Sequence, residues 1–177
     1  MRIMLRVVGF LLAVGVLDPG LIRAQRAATD ISAADIQAKL SQGPPLPGIG
    51  QPNIRVVDAG GYNIAVGALR RQQSAPGVAA KHYKVTEVYH VIEGAGTLVT
   101  GGTMVNAKVR PADSVAVTQE DGPGESGIAI EGGVGRRVKA GDVVVIPAGT
   151  PHWFSAIDGS ITYLVVRFDP NRILTLK

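Results

Sequence analysis

The chain has 177 residues and no cysteine, and its 18 basic and 14 acidic residues give a formal net charge of +4. Without cysteine the protein has no disulfides, no thiolate metal ligands and no cysteine nucleophile. The basic residues form no run with interleaved aromatics; Arg70-Arg71 and Arg136-Arg137 are isolated pairs. We therefore expect no nucleic-acid partner.

The N-terminus resembles an export signal. Arg2 and Arg6 precede an apolar segment at 7–17, which is too short to cross a bilayer but typical of a secretory leader. Ala24 offers a small residue at a cleavage site before Gln25. We expect residues 1–24 to be a signal peptide, and the mature protein to be periplasmic or secreted without membrane contact. A retained anchor or a short buried helix is the alternative.

One short helix is predicted after the leader, at 32–42. Ser32 is a candidate N-cap, Asp35 completes an acidic variant of the capping box, and Ile31 can pack on Ile36. Gly43-Pro44-Pro45 ends the helix and begins a Pro- and Gly-rich arm. Residues 25–52 are thus expected to form an N-terminal helix and arm.

The remainder, 53–177, has the pattern of short strands in a single β domain. Runs rich in Val, Ile, Thr and Tyr alternate with Gly, Pro and Asp, which favours an antiparallel sandwich or barrel. The predicted strands are 54–58, 62–71, 83–92, 96–100, 127–131, 136–138, 142–146, 152–156 and 161–168. The Gly- and Pro-rich region 101–135 is expected to be an extended hairpin or loop with Gly122-Pro123-Gly124 at its tip.

The segment at 141–154, GDVVVIPAGTPHWF, joins an apolar strand to a tight turn that delivers His152 onto the next strand. It follows the spacing G-x5-P-x-G-x2-H. This spacing resembles the second signature motif of the cupin family.

An altered first cupin motif lies upstream, at 80–94. The usual form is H-x-H-x3-4-E-x6-G, and Glu87 with Gly94 matches its second half. With four residues between them, His82 becomes the second histidine and Ala80 occupies the place of the first. Taking His82 as the first histidine instead puts Lys84 in the second slot and breaks the family spacing, so we prefer the Ala80 frame.

The resemblance implies an all-β double-stranded β-helix, the cupin jelly roll, behind the short N-terminal helix. It also implies that His82, Glu87 and His152 converge inside the barrel. Two imidazoles and one carboxylate are suitable ligands for one divalent transition metal, such as Fe, Mn, Zn or Ni, and they leave positions open for water, dioxygen or substrate.

Strand alternation sorts the neighbouring residues. Tyr89 shares a face with Glu87, and Phe154 shares one with His152, so both are candidate substrate contacts or core wall. His90 is expected to point away from the site. Lys84 is a candidate partner for a substrate anion, with solvent exposure as the alternative.

Weaker substrate candidates are one residue of the Arg70-Arg71 pair and, on the last strand, Tyr163 or Arg167.

The leading hypothesis is an exported metal-binding cupin that acts on a small oxygen-bearing molecule, with dioxygenase, isomerase or lyase chemistry open. The alternative is a non-catalytic small-molecule-binding or structural cupin without metal, because Ala80 removes one family ligand. Open sheet edges and outward aromatics further predict a homodimer.

Overall fold

The computed structural model describes residues 27–43, 52–74 and 77–177. The predicted signal peptide and most of the predicted arm lie outside these residues. In the described part of the chain, no helix is long and apolar enough to span a membrane.

Helix α1 covers Ala33–Leu40. The Asp35 amide donates to Ser32 Oγ at 3.1 Å, and the Ser32 amide donates to Asp35 Oδ2 at 2.9 Å. The predicted capping box is confirmed, and the helix ends two residues earlier than expected. No side chain of α1 is fully buried, so the helix lies on the outside of the β structure.

Strands dominate the described residues after α1. They are β1 Arg55–Asp58, β2 Asn63–Gln72, β3 Ala79–His82, β4 Thr86–Thr100, β5 Thr103–Val105, β6 Lys108–Val109, β7 Gly124–Gly127, β8 Ala129–Glu131, β9 Val134–Lys139, β10 Val143–Ile146 and β11 His152–Asp169. A π-helical turn, Ala116–Glu120, lies between β6 and β7.

The long strands β4 and β11 are the spine of the fold. They pair antiparallel from Thr86 opposite Phe168 to Thr100 opposite His152, with register shifts on the way. The second half of β11 also pairs with β2, and its first residue pairs with β3. β3 continues to β7 and β6, while β9 and β10 line the other edge of β4. Because β11 pairs with β4, β2 and β3, the sheet wraps around an interior, as expected for a jelly roll.

The interior is filled by alternating side chains. The main buried cluster consists of Tyr89, Val91, Leu98, Val138, Val144, Ile146, Phe154, Ile157, Ile161, Tyr163 and Val165. The Tyr89 ring packs on Tyr163 with centroids 4.5 Å apart and lies nearly parallel to Phe154 at 6.4 Å. The Tyr89 ring also meets the His152 ring edge-on, with centroids 6.1 Å apart.

Gly94, the last residue of the first motif, lies on β4 opposite Ile161 of β11. Its φ is +77°, and a Cβ built there would lie 1.9 Å from the Ser160 carbonyl oxygen. The register shift between Ile157 and Ile161 brings the β11 backbone onto this position. Only glycine fits such a contact.

The region 101–135 differs from the prediction. It contains β5, β6, the π-helical turn, β7 and β8, and β5 pairs with β8 in a separate two-stranded ribbon. The expected loop tip at 122–124 is wrong, because Gly124 is buried, begins β7 and pairs with His82. Strands of two to four residues are too short to show an alternating pattern.

Several predicted strands also have different limits. The two predicted at 83–92 and 96–100 are the single strand β4, and those at 152–156 and 161–168 are the single strand β11. The one at 127–131 is split between β7 and β8, and β3 was not predicted. β4 runs through Gly94 and β11 runs through Gly159, where the predicted strands leave gaps.

Candidate metal centre

Three side chains from three strands meet at one end of the barrel. His82 ends β3, Glu87 is the second residue of β4, and His152 begins β11. One ligand atom from each lies within 4.8 Å of the others. Both histidine Nε2 atoms face the same carboxylate oxygen, Glu87 Oε2, at 3.3 Å from His82 and 3.2 Å from His152. We call these three residues the trio.

The trio is shielded from solvent, with side-chain exposures of 4% for His82, 1% for Glu87 and 6% for His152. The turn before β11 is joined to the end of β3, because the Gly149 amide donates to the His82 carbonyl at 2.6 Å. A tight turn thus connects strands that are far apart in sequence.

Glu87 is surrounded by donors. Arg167 Nε donates to Oε1 at 2.7 Å, and the Tyr89 hydroxyl donates to Oε2 at 3.0 Å. Burial by itself raises the pKa of a carboxyl group, but His82 and Arg167 hold the pKa of Glu87 well below its ordinary value. Glu87 is therefore an ionised acceptor at neutral pH.

Arg167 links Glu87 to two more distant residues. Its Nη1 donates to Asn53 Oδ1 at 2.6 Å, and its Nη2 lies 2.7 Å from Asp121 Oδ1. Burial lowers the pKa of the guanidinium, but Asp121 and Glu87 outweigh this and raise it. The cation is thus permanent and compensates the buried Glu87 charge.

The two histidines have different partners on their other ring nitrogen. His152 Nδ1 lies 3.1 Å from the Thr150 carbonyl oxygen. His82 Nδ1 lies 3.2 Å from Arg110 Nη1. A carbonyl accepts hydrogen bonds, whereas a guanidinium only donates them.

A family model described as Cupin matches residues 60–173, which is more than half of the chain. The chain belongs to the cupin family. A search of curated proteins finds no match.

Solved structures with a similar fold share little sequence with this cupin. The protein BH2720 of Bacillus halodurans has a TM-score of 0.46 at 13% identity, covering 83% of this chain and 90% of its own. L-Ribose isomerase of Acinetobacter sp. DL28, solved with L-ribose, has a TM-score of 0.39 at 17% identity and covers 60% and 48%. DMSP lyase DddQ of Ruegeria pomeroyi DSS-3 has a TM-score of 0.36 at 17% identity and covers 66% and 48%. At these identities the likeness concerns the fold alone.

Ala80, in the place of the first motif histidine of cupins, pairs directly with His152 across β3 and β11. Directly paired residues of antiparallel strands project to the same face, with Cβ atoms about 4.5–5.5 Å apart. The methyl group of Ala80 is therefore placed beside the trio, but it supplies no ligand atom.

The structure places the other candidates differently. Tyr89 borders the trio, and Phe154 lies behind it in the aromatic group. His90 is exposed on the outer face, as predicted. Lys84 is exposed in the turn between β3 and β4 and does not join the trio. Of the Arg70-Arg71 pair, Arg71 donates from Nε to the buried Tyr163 hydroxyl at 2.8 Å.

Three residues around the site were not found from the sequence: Asn53, Arg110 and Asp121. Asn53 precedes β1, and the other two lie in the region expected to be a loop. They carry no motif spacing, so nothing in the sequence pointed to them.

Two surface cavities lie away from the trio. One of about 350 Å³ is a groove beside β1 and β2, lined among others by Ile31, Val57 and Ile64. The other, of about 480 Å³, is lined by Gln72, Gln73, Ser74, Gly159 and Ser160. Neither has a residue with suitable metal ligands other than Asp58, so the trio is the better candidate site.

The trio's donor atoms are suited to a transition metal. Because His152 donates its Nδ1 proton to Thr150, a neutral ring has a lone pair on Nε2, which faces Glu87 Oε2 at 3.2 Å. Two acceptors at this distance repel each other unless a proton or a cation lies between them. His152 and Glu87 therefore fit a metal, and His82 supplies the third ligand position.

Proposed function

We propose that this protein is an exported cupin that binds one divalent transition metal through His82, Glu87 and His152. Its substrate would be a small oxygen-bearing molecule. The observation that carries the proposal is the close approach of His152 Nε2 to Glu87 Oε2, two buried acceptors that need a proton or a cation between them, at a place where His82 offers a third ligand. Fe, Mn, Zn and Ni all suit this set of ligands.

When bound, the metal would supply Lewis-acid chemistry or a site for dioxygen, consistent with isomerase, lyase or dioxygenase activity. The protein residues have separate tasks. Arg167 keeps Glu87 ionised, and the Thr150 carbonyl orients His152. These contacts hold the ligand atoms ready before substrate arrives.

Tyr89 is the proposed hydrogen-bond donor toward substrate. Burial and the Glu87 charge raise the pKa of Tyr89 well above its ordinary value, so the phenol stays protonated at neutral pH. Its hydroxyl now donates to Glu87 Oε2. Turning to a substrate oxygen beside the trio would change its acceptor without removing its proton. Phe154, behind Tyr89, would form an apolar wall.

Ala80 favours a second candidate function. A cupin with three ligand residues instead of four suits a non-catalytic small-molecule-binding or structural protein without metal. The two candidates differ in one measurable property, the metal content of the folded protein.

The test is metal analysis of the purified mature protein by inductively coupled plasma mass spectrometry. We expect about one metal per chain, its loss in His152→Ala, and its retention in His90→Ala, which removes an exposed histidine from β4. Circular dichroism checks folding. A folded wild-type protein that holds no metal after incubation with Mn, Fe, Ni, Zn or Cu would support the metal-free function instead.

We further propose a homodimer formed through the outer face of β10. Val143 and Val145 are each 61% exposed on this edge strand, and burying such side chains favours association. Light scattering after size exclusion should give twice the chain mass, and Val145→Asp should give the monomer.

Export would be supported by a mature N-terminus at Gln25 in protein recovered outside the cytoplasm.

A further inference from the structure

Arg110 is embedded beside the trio. Its Nε donates to Ser126 Oγ at 3.0 Å, its Nη2 donates to the Glu125 carbonyl at 3.1 Å, and its side chain is 8% exposed. The remaining amino group, Nη1, lies 3.2 Å from His82 Nδ1 and 3.5 Å from Asp121 Oδ2. The guanidinium is therefore fixed against the imidazole.

This contact determines where His82 carries its proton. Arginine has donors and no acceptor, so Nη1 donates and His82 Nδ1 accepts. A neutral imidazole has one N–H, which must then be on Nε2 and point at Glu87 Oε2, 3.3 Å away. His152 has the opposite tautomer, because its Nδ1 donates to the Thr150 carbonyl. The two histidines of the trio thus carry their protons on different ring nitrogens.

A metal ligand must offer a lone pair, and the other nitrogen of a metal-bound histidine usually donates to a carbonyl or carboxylate. His152 meets both conditions. For His82 to bind through Nε2, its proton must move to Nδ1, where it would face the donor Nη1 of Arg110. Arg110 therefore opposes metal binding at this residue.

We propose that Arg110 is a positioning residue that holds His82 as a hydrogen-bond donor to Glu87 and thereby weakens metal binding at the trio. Asp121 offers Arg110 another acceptor. Its Oδ2 is close enough to accept a hydrogen bond from Nη1 when His82 binds a metal. Asp121 Oδ1 already accepts from Arg167, the partner of Glu87. One carboxylate thus connects the arginines behind two of the three ligands.

The affinity test rests on the proposed metal-binding function and uses Zn²⁺ titrated into metal-free protein by calorimetry at constant pH. Arg110→Gln offers an acceptor to a proton on His82 Nδ1, so Zn²⁺ should bind about tenfold more tightly or better. Arg110→Lys keeps the positive charge and a donor at this position but not the contacts with Ser126 and Glu125, and it should bind Zn²⁺ more weakly than Arg110→Gln does. Arg136→Gln removes an equal charge from the exposed face of β9 and should also leave the affinity unchanged. Equal affinity in Arg110→Gln and wild type would overturn the proposal.

A second measurement needs neither metal nor a variant. Long-range ¹H–¹⁵N spectra of the metal-free wild type should show an unprotonated Nδ1 on His82 and a protonated Nδ1 on His152. A protonated Nδ1 on His82 would overturn the proposal even if Arg110→Gln failed to fold. If the tautomers are as proposed but no variant binds Zn²⁺, the metal-binding function fails while the positioning of His82 by Arg110 stands.

Discussion

Replacing Arg167 with methionine tests the charge balance beneath the trio. The change keeps an apolar stem of similar length but removes the partner of Glu87 Oε1, Asn53 Oδ1 and Asp121 Oδ1. Glu87 is 1% exposed and cannot regain water, whereas Asp121 is 21% exposed and can. Most of the cost therefore comes from one uncompensated buried carboxylate.

Breaking a buried ion pair by removing one partner costs about 3–5 kcal/mol. We expect the free energy of unfolding of Arg167→Met to fall by this amount at pH 7, measured by urea denaturation of the metal-free protein. The depressed pKa of Glu87 makes its contribution to stability present at neutral pH and lost as the pH falls below the ordinary carboxyl range. The difference between variant and wild type should therefore shrink as the pH is lowered from 4.5 toward the pKa of Glu87 in the folded protein.

The matched control is Arg137→Met on β9, which removes an exposed arginine paired with Asp158. Exposed pairs contribute little, so this variant should unfold like the wild type. The reasoning is refuted if Arg167→Met loses less than about 1 kcal/mol, a loss typical of an exposed pair, or if its loss does not change with pH.

Three further predictions concern other positions. Burial and Asp121 raise the pKa of Glu120 to about 7 from an ordinary 4.5. The contribution of Glu120 to the free energy of unfolding should therefore fall by about 2 kcal/mol as the pH rises from 4.5 to 7, and Glu120→Gln should remove this contribution in urea titrations. Gly94→Ala should lower the free energy of unfolding by about 2 kcal/mol or more. Gly141→Ala, at a position that also has positive φ but open space around it, should lower it less in the same assay, and equal losses would contradict the steric reasoning. Ala80→His should tighten Zn²⁺ binding about tenfold or more by calorimetry, because it adds an imidazole beside His152, and an unchanged Kd would count against that placement.

The sequence was sufficient for the parts of the protein that local spacing controls. The turn before His152 and the run from His82 to Glu87 are both short segments of the sequence. Their resemblance to the two cupin motifs implied the trio and the jelly roll. Strand alternation correctly turned His90 outward and Tyr89 inward. Local rules suffice here because a strand alternates its side chains wherever it packs.

Only the tertiary structure decided what surrounds the trio. Arg110 contacts His82 across 28 residues, and Arg167 contacts Glu87 across 80 and Asn53 across 114. Such partners are chosen by how the strands stack, and a single buried arginine or asparagine leaves no periodic signal in the sequence. The ligand residues were therefore readable from their spacing, whereas the charges and donors that set their chemistry depend on chain segments brought together only by folding.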